Sequence, residues 1–164
     1  MIREKKHRLS PETYHGYQIV AFTLCLKNRT SFFTTQERFE IFEKMLLLNA
    51  QKFYCDVLVY LFMPNHCHII LSGNNERSDP LAVMKTFKQQ TGYWFYKNAL
   101  NVHWQKDFYD HIIRKEEDIT KQVHYVLNNP VRKNLVKNWH DYPFKGSTVY
   151  DFKEMGLNWC RNPA

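Results

Sequence analysis

Hydrophobic and polar positions along the chain switch between two periods. Residues 18–27 (QIVAFTLCLK) form a run rich in β-branched and aromatic side chains, which predicts a first strand. From Thr35 and Gln36 the spacing changes. Phe39, Phe42, Met45, Leu46 and Asn49 recur every three or four positions, predicting a helix through Phe53. Residues 56–62 (DVLVYLF) predict a second strand, and Met63-Pro64-Asn65 a tight corner. Residues 66–72 (HCHIILS) then predict a third strand, antiparallel to the second, and 73–79 is the clearest loop. Asp79 as N-cap with Pro80 in the first helical position opens a second helix, expected to reach about Leu100. A fourth strand is expected over 108–115 (FYDHIIRK) and a third helix over 116–128, with acidic residues in its first turn favoured by the macrodipole. Pro130 ends or redirects that helix, because the residue before a proline avoids the α region. From Tyr142 onward no regular pattern is legible.

The order is therefore βαββαβ followed by a helix. That is an α+β, ferredoxin-like split βαβ arrangement: an antiparallel sheet with helices packed on one face, plus a C-terminal helix. A length of 164 residues fits one domain, 1–164, with a core over about 14–143. This fold hosts many unrelated functions, so function must be read from particular residues.

Composition narrows the classes. Hydrophobic residues make up 44% and charged residues 24%, which argues for a folded chain rather than a disordered one. No apolar run approaches the roughly 20 residues of a membrane span, and the basic N-terminus has no apolar block behind it. A soluble cytoplasmic protein without a membrane partner is expected. Lys and Arg number 23 against 16 acidic residues, a net +7, which favours a polyanionic partner such as nucleic acid. Ten Tyr and four Trp beside such cations suit unstacked single-stranded bases, although an aromatic core would give the same count. Cys25, Cys55, Cys67 and Cys160 show no CxxC spacing, so reduced and mostly buried thiols are expected.

The sharpest chemical feature is His66-Cys67-His68. On a strand, positions i and i+2 share a face at roughly 6–7 Å, so two imidazoles can converge on one metal ion while Cys67 turns to the core. Neutral imidazole suits transition metals and Mn²⁺ better than Ca²⁺. Two His in eight also fall at this spacing by chance. Tyr125 lies in the third helix, and a tyrosine hydroxyl is a nucleophile once its target is polarised or a base is near. Asn129 follows four residues later, on the same helical face, and offers a side-chain oxygen to the metal; alternatively it caps a helix at Pro130.

The segments MPNHCHII, WQKDFYDHIIRKEEDI and YVLNNPVRKNLV, in that order, resemble the REP-associated tyrosine transposases. These belong to the single-tyrosine HUH transposases of bacterial insertion sequences, and the likeness runs from about Tyr14 to Pro143. The resemblance implies a ferredoxin-like sheet and a divalent ion, Mg²⁺ or Mn²⁺, held by His66 and His68. It implies attack by Tyr125 on a phosphodiester of hairpin-bearing single-stranded DNA, leaving a 5′-phosphotyrosine link and a free 3′-hydroxyl. In the insertion-sequence relatives a Gln four residues beyond the tyrosine completes the metal site; here Asn129 stands there. The usual bulky residue between the two His is replaced by Cys67.

Lys85, Lys88, Arg114, Arg132 and Lys133 are the candidate contacts to the DNA backbone, with Lys85 and Lys88 on the second helix near Tyr93 and Trp94. The expected activity is thus metal-dependent strand cleavage and transfer by a monomer or homodimer. The alternative is a non-catalytic nucleic-acid-binding module derived from a transposase. A zinc hydrolase built on His66 and His68 lacks a further ligand at recognisable spacing.

Overall fold

The computed structural model describes residues 8–115 and 117–155. Five strands and two long helices dominate: β1 (Ile19–Cys25), α1 (Gln36–Lys52), β2 (Cys55–Met63), β3 (His66–Gly73), α2 (Pro80–Asn98), β4 (Tyr109–Ile113) and β5 (Lys145–Gly146). Two short helices, α3 (Ile119–Leu127) and α4 (Asn129–Arg132), lie between β4 and β5. The sheet order is β4-β1-β3-β2-β5, antiparallel throughout. Within it, β1α1β2 is split by β3 and β3α2β4 is split by β1, which is the expected ferredoxin-like topology.

Capping explains where the helices start. Thr35 accepts from the Arg38 amide at 3.3 Å and Asp79 from the Ala82 amide at 3.0 Å, each satisfying an otherwise orphaned donor. The third helix departs from the sequence expectation. It begins at Ile119, with Asp118 as N-cap accepting from the Lys121 amide at 3.2 Å, so no acidic residue occupies its first turn. Residue 116 lies outside the described residues.

The sheet is covered on both faces. On one, α1 and α2 bury Phe39, Phe42, Leu46, Phe87 and Phe95 against Phe22, Phe62, Cys67 and Ile69. On the other, Val123, Val126 and Leu127 of α3 meet Leu61, Met63 and Ile70, joined by Trp139, Tyr142 and Phe152. Double coverage accounts for the nearly unbroken apolar run of β2. A bulge at Leu58 keeps its two sets of side chains on their proper faces, since Val57 pairs with Leu71 and Val59 with Ile70. Over the described residues 142–155 the patternless tail is thus a packing element. It also supplies β5, whose Lys145 and Gly146 pair with Leu61 and Tyr60. Among the described residues no helix is long and apolar enough to cross a membrane.

Candidate functional site

The β2–β3 corner fixes His66 in space. Strand β2 ends at Met63 and β3 begins at His66, leaving Pro64 and Asn65 as a two-residue turn. Its carbonyls are tied down from outside: Pro64 accepts from the Phe32 and Phe33 amides at 2.7 and 3.1 Å, and Asn65 from the Leu26 amide at 2.9 Å. Strand alternation then sends Cys67 into the core, fully buried, and turns His66 and His68 to the α3 face. Their rings meet edge to face with centroids 4.9 Å apart.

Each imidazole is oriented by a neighbour the sequence reading did not single out. His66 Nδ1 lies 2.6 Å from Asn65 Oδ1, an acceptor, so Nδ1 carries the proton and Nε2 keeps its lone pair. His68 Nδ1 lies 3.0 Å from the hydroxyl of Thr23, its cross-strand partner on β1. When Nδ1–H donates there, His68 Nε2 is likewise left with a lone pair. Burial pushes His66 down to about 4, helped by the charge of Lys133. It pushes His68 down to about 3, with smaller contributions from His66 and Arg132. Both rings are therefore neutral near pH 7, the form that binds metals.

Asn129 reaches the same place. It is 4% exposed, and its amide nitrogen donates to His66 Nε2 at 3.2 Å. The peptide geometry permits this because Asn128, at φ −84° and ψ −1°, stays in the helical region as the N-cap of α4. The chain therefore bends through Pro130 in the first turn of that helix instead of ending there. Among the described residues, no cluster of three or more His, Cys, Asp or Glu has the spacing to hold a metal ion. The donor set nevertheless fits one divalent ion once the Asn129 amide turns over to present its oxygen: two neutral imidazoles and one hard neutral oxygen.

Tyr125 faces the same cleft from α3 and is 63% exposed. The Arg132 guanidinium lies 3.8 Å from the centre of its ring, a cation–π contact. The cleft encloses about 1280 Å³, and His66, His68, Tyr125, Asn129, Arg132 and Lys133 all line it. Lys85, Lys88 and Arg114 do not. Lys85 and Lys88 project from α2, on the other side of the sheet, where Lys88 Nζ donates to the Lys106 carbonyl and sits 5.7 Å over the Phe108 ring. Thr23, Asn65 and His111 also line the cleft. Asn65 had a signal, standing beside His66 in the chain, whereas Thr23 becomes visible only with the β1–β3 register.

A split-βαβ sheet carrying paired imidazoles, with a tyrosine-bearing helix across a basic cleft, is the framework of a transposase class. The chain belongs to the IS200-like transposase family, whose model matches residues 14–129, a span that includes His66, His68, Tyr125 and Asn129. It is 29% identical over 123 residues to a REP-associated tyrosine transposase of Escherichia coli (strain K12), covering 75% of this chain and 72% of that protein. It is 25% identical over 134 residues to a putative REP-associated tyrosine transposase of Haemophilus influenzae, covering 75% and 76% respectively. A solved structure described as a REP-associated tyrosine transposase bound to a REP hairpin shares the fold. Its TM-score is 0.71 at 24% identity, over 93% of this chain and 92% of that one.

Proposed function

We propose that this chain binds hairpin-bearing single-stranded DNA in the cytoplasm and cleaves and rejoins it through a covalent bond to Tyr125. The observation that carries this reading is the meeting of His66, His68, Tyr125, Asn129, Arg132 and Lys133 in one cleft. The hairpin held by the solved relative supports the choice of DNA.

Arg132 and Lys133 bring positive charge to a phosphate lying between the tyrosine and the histidines. Tyr125 Oη attacks the phosphorus. The Oη–P bond forms, the P–O3′ bond breaks, the phenol gives up its proton, and the 3′ oxygen leaves as a hydroxyl. The phosphotyrosine ester conserves the diester bond, so a second strand's 3′-hydroxyl is joined by the reverse step without a nucleotide cofactor. His66 and His68 would hold a divalent ion, Mg²⁺ or Mn²⁺, with the Asn129 amide oxygen as a third donor. When bound it supplies Lewis-acid polarisation of the phosphate and orientation of the departing oxygen.

The test is metal dependence in the purified protein. His66→Ala and His68→Ala each abolish cleavage of a labelled hairpin strand and weaken Mn²⁺ binding, with little change in hairpin affinity. Asn129→Ala weakens Mn²⁺ binding while leaving the melting temperature near that of the parent; a capping residue would instead cost about 0.5–2 kcal/mol of stability. Full cleavage by the double histidine variant in chelator contradicts the proposal.

A further inference from the structure

The aromatic residues divide into two populations. Most Phe and Trp fill the core between the sheet and α1 and α2; Trp94, for example, packs edge-on against Phe32 and Phe42. Tyr93 and Tyr96 do not. They lie on the outer face of α2, 64% and 67% exposed, with ring centroids 6.5 Å apart and planes 31° from parallel. Leu100, 68% exposed, continues the stripe just beyond the helix end.

The charge along this helix is of one sign. Helix α2 reads PLAVMKTFKQQTGYWFYKN and contains no Asp or Glu, whereas α1 carries Glu37, Glu40 and Glu43. At 100° per residue, Lys85, Gln89, Tyr93, Tyr96 and Lys97 fall within an arc of roughly 120°. All five are exposed. From Lys85 to Lys97 this face runs about 18 Å at 1.5 Å per residue. The segment leaving α2 then passes the cleft: the Gln105 amide donates to the Cys25 carbonyl at 2.8 Å, and both residues line the cleft. Residues 99–105 thus join the end of α2 to the wall of the cleft.

We propose that the outer face of α2 is a second nucleic-acid surface, on which unpaired bases flanking the hairpin stack against Tyr93 and Tyr96 while Lys85 and Lys97 meet the phosphates. Exposed ring faces beside cations, with no acidic residue on the helix, match a single strand in both its parts. The proposal rests on the reading of this chain as a single-stranded DNA-binding protein. It adds a surface on the side of the sheet opposite His66 and His68.

The experiment measures binding alone. In Tyr125→Phe protein with chelator present, fluorescence anisotropy follows a labelled oligothymidylate and an abasic oligomer of equal length. Tyr93→Ala with Tyr96→Ala weakens oligothymidylate binding about tenfold or more, within the range lost with base–aromatic stacks. It leaves binding of the abasic oligomer and the melting temperature unchanged, and the paired Tyr→Phe variant binds like the parent. Equal affinity of the alanine variant and the parent for oligothymidylate overturns this surface while leaving the cleft reading intact. Absence of oligothymidylate binding by the parent overturns this surface, and absence of hairpin binding as well overturns both readings. A dimer seen in sedimentation and lost in the alanine variant assigns the stripe to a second copy of the chain, and also overturns it.

Discussion

Thr23 is 7% exposed, and its hydroxyl 3.0 Å from His68 Nδ1 fixes one of the two imidazoles. Thr23→Val keeps the side-chain shape and removes that oxygen. Outer partners of ligating histidines typically contribute 10–100-fold to metal affinity, so calorimetric titration with Mn²⁺ gives a dissociation constant about tenfold or more weaker. Unchanged affinity would show that the strand alone orients His68. At this scale legibility followed sequence distance. His66 and His68 stood out because they lie two positions apart on one strand; Tyr125 was marked by the resemblance that YVLNNPVRKNLV carries, and Asn129 by standing four positions beyond it. Thr23 did not, since its relation to His68 spans 45 residues and depends on register. Lys88 was legible only as a charge; its engagement with the Lys106 carbonyl and the Phe108 ring is tertiary.

The helix bearing Tyr125 is anchored at its start by one carboxylate. Glu117 accepts from His111 Nε2 at 2.8 and 3.0 Å, from the Arg114 amide at 3.2 Å and from Gln122 Nε2 at 3.4 Å. These bonds, His111 foremost, hold its carboxyl below the usual range. They tie β4 to the first turns of α3. Glu117→Gln keeps the size but loses the charge-assisted bonds. Hydrogen exchange in 119–127 is expected to quicken, with little change in melting temperature because the group is at the surface. Cleavage falls about tenfold or more, since misplacing a reacting group by 1 Å costs up to roughly 10²-fold. Exchange and cleavage like those of the parent would assign the docking of α3 to its apolar face alone. Most elements were legible in the chain, from β1 to β4 to within two residues at each end, because their apolar spacing matches strand or helix. The start of α3 was not, since an acidic run suits either a first helical turn or a cap. Strand β5 has two residues and exists only by pairing with Tyr60 and Leu61, so it carries no period of its own.

For the whole molecule, the excess of 23 basic over 16 acidic residues predicts that hairpin binding weakens linearly on a log–log plot against salt. Arg132→Ala and Lys133→Ala, both in the cleft, each reduce that slope by about 0.7–1. A slope unchanged in both variants places the phosphates elsewhere. The basic balance was readable at once, but the aromatic balance was not: the same count serves the core between α1, α2 and the sheet and the exposed tyrosines outside it. The central claim is that Tyr125 becomes bonded to DNA. Incubating the protein with a 5′-unlabelled, 3′-labelled hairpin strand and Mn²⁺, followed by a denaturing gel, tests it. The parent carries the label into a protein band whose modified peptide contains Tyr125, and Tyr125→Phe binds the hairpin without forming that band. A labelled band of equal intensity in Tyr125→Phe, or a modified peptide lacking residue 125, would contradict the account.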